Sequence, residues 1–265
     1  MNLSAKLELQ RENLLFLAEQ GEPKFTDKFF PYTSGQIGNY YIQSLSITND
    51  GFAYAKAIDS IVGLIKGTLG TNGFDAISGG ESRDWDFSNP VAVAMNKPHL
   101  KLYKERNPAG ASINGRTFVH VADLNNEGSS MRDFWYPQIK DNGGFMDYAF
   151  FYIDRLEDGV EELKKLGLES HSVIPFDSNA WQILLNAGKI SPEVYKSLNE
   201  RLEDKTAWAH KTLRSHLPYL IDLLKNPSTR AKGEKILNVG YPELKDELLF
   251  TMGHFGYFHD FGEKV

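Results

Sequence analysis

Residues 117–130, TFVHVADLNNEGSS, hold the most informative chemistry in the chain. An apolar, β-branched run (Thr117, Phe118, Val119, Val121) empties into an acid, two amides, a second acid, Gly128 and two hydroxyl residues. The run suits a buried strand, and the small polar residues after it suit a turn that opens a helix near Ser130. Such a turn cradles phosphate. Free backbone N–H groups and the positive end of the helix dipole face the ligand, and glycine lets the backbone approach closely. Asp123, at the carboxyl end of the strand, stands beside that phosphate, where it can accept hydrogen bonds from sugar hydroxyls or hold a hydrated metal ion. A phosphate cradle next to a hydroxyl-binding acid is what a phosphorylated ribose requires.

The elements that must position this turn are legible as alternating strands and helices. Leu3, Leu7, Leu14 and Leu17 predict an amphipathic first helix over 3–20, and the aromatic pieces flanking Ser34-Gly35 predict a hairpin. A helix follows over 50–67. FDAISGG (74–80) reads as a buried strand entering a glycine turn, and PVAVAMN (90–96) as a helix with Pro90 in its first turn. HLKLY (99–103), MDYAFFYID (146–154) and HSVIPF (171–176) read as further strands, with helices over about 130–141 and within LEDGVEELKKLG. This alternation predicts an α/β fold, a mostly parallel central sheet flanked by helices, in which ligands collect at the carboxyl ends of the strands. From about Ser178 the pattern becomes wholly helical. The expected division is therefore an α/β domain over 1–177, including an N-terminal helix and hairpin that form a small hood, and an α-helical C-terminal extension over 178–265.

Composition narrows the function. The chain has 265 residues, 41% hydrophobic, enough for a real core. A formal net charge of −6 argues against general affinity for nucleic acid or anionic membrane and leaves room for small anionic ligands in a local site. With no cysteine, disulfides, thiolate metal sites and a cysteine nucleophile are excluded. No signal-peptide core and no membrane-length apolar run is visible, so the expectation is a cytoplasmic protein. P-loop, dinucleotide-fingerprint and nucleophile-elbow patterns are missing from the sequence, which disfavours nucleotide hydrolysis and hydride transfer.

With these segments in order, residues 24–177 resemble the type I phosphoribosyltransferases, most of all orotate phosphoribosyltransferase. That family's signature, a hydrophobic strand, two acids, two small apolar residues and a Thr-Thr-Gly-Gly-Ser-like turn, reads here as VHV, Ala122-Asp123, Leu124-Asn125 and Asn126-Glu127-Gly128-Ser129-Ser130. TSGQIGNYYIQ (33–43) resembles the hairpin whose aromatic packs on the pyrimidine. LYKERNPAG (102–110) resembles the mobile loop that closes over the diphosphate, and IDRLEDG (153–159) the segment whose arginine recognises a base carboxylate. The resemblance implies phosphoribosyl transfer from phosphoribosyl diphosphate to orotate or a related base, with Mg²⁺ as cofactor and a homodimer as the assembly. By the same resemblance Asp123 and Lys104 are catalytic, and Asp123 also contacts the metal. Asn126, Glu127, Gly128, Ser129 and Ser130 bind the 5′-phosphate; Ser78, Gly79, Gly80 and Arg83 form the diphosphate loop; Tyr40, Tyr41 and Arg155 bind the base. Ala122 stands for one acid, Glu127 for a threonine, Thr33 for a lysine, and Gln36 and Tyr103 for arginines. These departures open an alternative, a nucleotide or ribose-phosphate binding protein without turnover.

Blander readings apply to several of these residues. Arg155 can instead pair with Glu157 or Asp154, and the tyrosines can be strand packing. His120 reads as a satisfied core group or one adjacent to the cradle rather than as a catalytic base. Glu127 suits solvent or a metal better than a phosphate. His254, His259 and Asp260 read as part of an aromatic tail docked on a helical face rather than as a metal site.

Overall fold

The runs 76–80, 117–125 and 145–154, buried along most of their length, make the centre of the sheet, because a strand covered by helices on either side has no polar face to present. The computed structural model describes residues 2–254; the expectation for His259 and Asp260 lies outside them, as does that for the side chain of His254. The chain divides into two compact units, one comprising the chain up to Glu22 together with Gln43–Ala187, the other Pro23–Ile42 together with the chain from Gly188 on.

In the first unit, strands β3 (Ala76–Gly80), β4 (His99–Leu102), β5 (Ala109–Gly110), β6 (Thr117–Asn125), β7 (Phe145–Asp154) and β8 (Glu169–Pro175) form one sheet in the order β5-β4-β3-β6-β7-β8. All pairings are parallel except β4 with the two-residue β5. Helices α1 (Leu3–Glu19), α2 (Gly51–Leu69), α3 (Asp84–Ala94), α4 (Tyr136–Asp141), α5 (Gly159–Lys165) and α6 (Ser178–Asn186) cover it. Against one face Met131, Trp135 and Ile139 bury with Ala76, Leu102, Phe118 and Ala122. The first helix and α6 join this unit through Gln10, whose Nε2 donates to the Pro175 carbonyl and the Asp177 carboxylate.

The second unit holds the hairpin, β1 (Lys24–Pro31) antiparallel to β2 (Ile37–Tyr41), and helices α7 (Pro192–Glu203), α8 (Lys205–Ser215), α9 (Leu217–Lys225), α10 (Arg230–Lys235) and α11 (Lys245–His254). This corrects the division at 177. The hairpin belongs to the helical unit, because Phe29 and Ile37 bury in a cluster with Leu213, Leu220 and Ile236. Its turn is held there as well: Gln36 Nε2 donates to the Gly240 carbonyl, Lys235 Nζ donates to the Thr33 carbonyl, and Tyr241 hydroxyl accepts from Ile37 N–H. A side chain on Gly240 would lie 2.1 Å from the Gly35 carbonyl oxygen, so the two backbones can touch only as glycines.

One helix starts earlier than its sequence signal. The proline of PVAVA does not open α3 but sits inside it, six residues on from Asp84. Pro90 has no N–H for the carbonyl of Asp86, four residues back. That carbonyl accepts the Tyr54 hydroxyl instead, which removes the main penalty of an interior proline. Among the described residues no helix is long and apolar enough to cross a membrane.

Candidate active site

The carboxyl ends of β3 and β6 lie side by side, Ser78 opposite His120 in register, and Ser78, His120 and Asp123 are buried polar groups at this junction. Asp123 is 7% exposed, and its carboxylate accepts the hydroxyl of Ser44. Beside it stands Asp84, from the first turn of α3, with a side chain 13% exposed. One oxygen of Asp84 accepts the Gly80 N–H at 3.0 Å, and the other accepts the Asp123 N–H at 3.4 Å. The two carboxyl groups are near enough for the charge of Asp84 to act on Asp123. Out of water, two such neighbours cannot both ionise cheaply, so one proton is shared. Both are pushed up from the ordinary carboxylate range, by burial first; the charge of Asp84 raises Asp123 further, while the Ser44 hydroxyl and the Arg83 charge draw it back.

His120 is fully buried. Its Nδ1 lies 3.1 Å from Ser78 Oγ, and its Nε2 makes no hydrogen bond, 3.6 Å from an Asp84 oxygen. Burial drives the imidazole down to about 3, so it is neutral and the approach to Asp84 is not an ion pair. The sequence reading of His120 as buried agrees with this, but the ring is satisfied only at Nδ1.

After Asn125 the chain turns through Asn126, Glu127 and Gly128 into helix from Ser129. Gly128 has φ +68°, and a Cβ there would press on Leu163, Glu162 and the Gly159 carbonyl at 3.0–3.2 Å. Asn126 carbonyl accepts the Gly159 N–H, which ties the turn to α5. The opening N–H groups of the helix have no carbonyl ahead of them, as at any helix start, and are available to an anion. Ser129 is exposed and Ser130 half-buried.

The expected diphosphate loop is placed differently. Ser78, Gly79 and Gly80 are the last residues of β3, all buried and paired in the ladder rather than in a loop. Their small size serves packing: a Cβ on Gly79 would lie 2.1 Å from Ser88 Oγ, and one on Gly80 2.2 Å from the Trp135 ring. The turn itself is Glu81 to Arg83, with Arg83 exposed. Lys104 is exposed nearby in chain order after β4; its N–H donates to Glu81 and its ammonium lies 5.4 Å from the Phe134 ring centre. The loop over 103–108 is pinned by Gln138, which donates to the Tyr103 carbonyl, and by Arg106 stacked 3.8 Å from the Tyr103 ring centre.

Of the residues expected at the base, Arg155 is buried with its guanidinium 3.9 Å from Glu157, the ion-pair alternative of the sequence. Tyr40 and Tyr41 belong to the second unit. Tyr40 is buried, and Tyr41, 42% exposed, is the ring of the pair open to a ligand. Ala122, where the family signature has an acid, is buried in the apolar cluster with Met131 and Trp135. Asp84 is the functional residue the sequence reading missed, together with its pairing with Asp123. The signal was available in principle, since Asp84 and Asp86 mark a helix start.

No family model matches the chain. It is 28% identical over 184 residues to the orotate phosphoribosyltransferase of Staphylothermus marinus, covering 67% of this chain and 81% of that protein. To the orotate phosphoribosyltransferase of Sulfolobus acidocaldarius it is 26% identical over 150 residues, 54% of this chain and 74% of the relative. The crystal structure of orotate phosphoribosyltransferase from Aeropyrum pernix superposes with a TM-score of 0.57 at 22% identity, over 66% of this chain and 99% of that one.

Proposed function

We propose that this chain, a divergent type I phosphoribosyltransferase most like the orotate enzymes in sequence and fold, transfers the phosphoribosyl group of phosphoribosyl diphosphate to orotate or a related base. The products are a nucleoside 5′-monophosphate and diphosphate. The observation that carries this reading is the juxtaposition of a buried acid, Asp123, with a glycine turn and an open helix start at the carboxyl end of a central parallel strand.

Transfer passes through a sugar cation as the C1–diphosphate bond breaks, so the protein's work is to hold phosphate and ribose, neutralise the leaving group and exclude water. The N–H and hydroxyl groups of residues 126–130 receive the 5′-phosphate, with Glu127 turned from it. Asp123 receives ribose hydroxyls and thereby fixes C1. Arg83 and Lys104 supply positive charge toward the diphosphate. Among the described residues no three His, Asp or Glu side chains converge as a metal cage. The oxygen donors Asp123 and Asp84 nevertheless suit Mg²⁺, which binds through one or two carboxylates together with substrate phosphates. Bound there, Mg²⁺ would neutralise the departing diphosphate. Arg155 is the residue proposed for the base, and a homodimer is the proposed assembly, checked by light scattering.

Purified protein incubated with phosphoribosyl diphosphate, Mg²⁺ and a panel of bases should release diphosphate with orotate or a close analogue, and Asp123→Ala should abolish the release. Binding of phosphoribosyl diphosphate with no release from any base would leave the binding-protein alternative in its place.

A further inference from the structure

Asp84 enters the site above only as an oxygen donor beside Asp123, yet its surroundings are also those of a group that binds the sugar itself. The strand that carries Asp123 offers no second acid, since Ala122 is committed to the apolar cluster under Trp135. A carboxylate arrives instead from the first turn of α3, held by the N–H groups of Gly80 and Asp123. Three aspects of the arrangement go beyond packing. Asp84 keeps 13% of its side chain exposed, so the pair is open on that side. The Ser44 hydroxyl already occupies one oxygen of Asp123, which orients the other. His120, fully buried, directs an Nε2 without a hydrogen-bond partner toward Asp84, 3.6 Å away. A buried ring nitrogen in that state is costly unless something satisfies it. A hydroxyl both donates and accepts, so one inserted here would serve a carboxylate oxygen and the ring nitrogen together.

We propose that Asp84 is the second carboxylate of the ribose site, and that the Asp84–Asp123 pair, backed by His120, binds the vicinal hydroxyls of a ribose 5-phosphate. The proposal rests on the phosphoribosyl reading and adds to it a residue from a different element. Carboxyl oxygens accept from hydroxyls, so the pair offers a diol two neighbouring sets of acceptors.

The test is calorimetry in EDTA with ribose 5-phosphate and 2-deoxyribose 5-phosphate, on the full chain and on D84N, whose melting temperature reports folding. The full chain should prefer the ribose compound by about tenfold, the worth of a hydrogen bond to a charged group. In D84N that preference should collapse to within about threefold, while the deoxy compound, which still has the phosphate cradle, binds as before. Undiminished preference in folded D84N would overturn the proposal alone. Failure of the full chain to bind either compound would remove the phosphoribose reading and this role with it. Should D84N not fold, carbon-13 carboxyl spectra of the aspartate-labelled full chain decide. Ribose 5-phosphate must move the two coupled carboxyl resonances and 2-deoxyribose 5-phosphate must move them less, and equal shifts would refute the assignment.

Discussion

The shared proton between Asp84 and Asp123 makes the stability of this protein depend on pH in a direction opposite to that of most paired carboxylates. Asp123 is raised from the unfolded value near 4 to about 7. Below about pH 4 both folded and unfolded chains hold the proton, and nothing is lost. Between about 4 and 7 the unfolded chain releases a proton that the folded chain keeps, so stability falls as pH rises, and it levels off once the native group ionises. Three units at about 1.4 kcal/mol each set a ceiling of ~4 kcal/mol; the proton is shared with Asp84, so the two groups do not add. Asp123→Asn imitates the protonated state: its carbonyl oxygen still accepts from Ser44 and its amide can donate to Asp84. The variant should match the parent within ~1 kcal/mol near pH 4.5 and exceed it by about 2–3 kcal/mol at pH 8. Urea unfolding at pH 4.5, 6 and 8, extrapolated linearly, measures the difference. A variant-minus-parent difference that is flat with pH would refute the shared-proton description, whatever its sign. The variant should at the same time lose phosphoribosyl transfer, a trade of activity for stability expected where like charges are held together for function.

Three further outcomes follow from the same geometry. Gly80→Ala should cost about 1–3 kcal/mol in urea unfolding, because the added methyl meets the Trp135 ring at 2.2 Å in a packed core. Gly128→Ala should cost about 1–2 kcal/mol, since φ is +68° and α5 leaves no room, and should weaken phosphate binding measured by calorimetry by more than the loss of stability explains. Ala122→Asp, which rebuilds the two tandem acids, should destabilise the protein by at least ~3 kcal/mol and fail to raise diphosphate release, because the new carboxylate is buried among Met131 and Trp135; increased turnover would show that the cluster can open.

Much of the first unit could be read from local pattern alone. The runs at 74–80, 117–121 and 146–154 became buried strands because continuous apolar sequence has no stable exposure except between two helical layers, and the run at 171–176 became the half-buried edge strand. The turn after Asn125 was equally legible: Gly128 adopts the positive φ that its position in a polar turn suggests, and the following residues open a helix. The strand runs on to Asn125, and Asp123 lies among its last residues, at the carboxyl end where the sequence put it. Pro90 misled, because a proline in sequence marks the first turn of a helix far more readily than its interior. Only the Tyr54 hydroxyl on the Asp86 carbonyl, a contact across 32 residues, makes the longer α3 acceptable.

The amino-acid sequence by itself determined the alternation of strands and helices, the acid and glycine turn, and the ligand class they imply, since each depends on neighbours a few residues apart. The tertiary structure decided what depends on distant partners. It drew the hairpin of residues 24–41 into the helical unit, where Phe29 and Ile37 find apolar partners beyond residue 208. It turned Ser78, Gly79 and Gly80 from a loop into a strand whose missing side chains are filled by Ser88 and Trp135. It also set Asp84, 39 residues away in sequence, against Asp123. No spacing rule connects those two carboxylates; they meet because α3 begins where β3 ends and β3 lies beside β6, and burial there makes one proton serve them both.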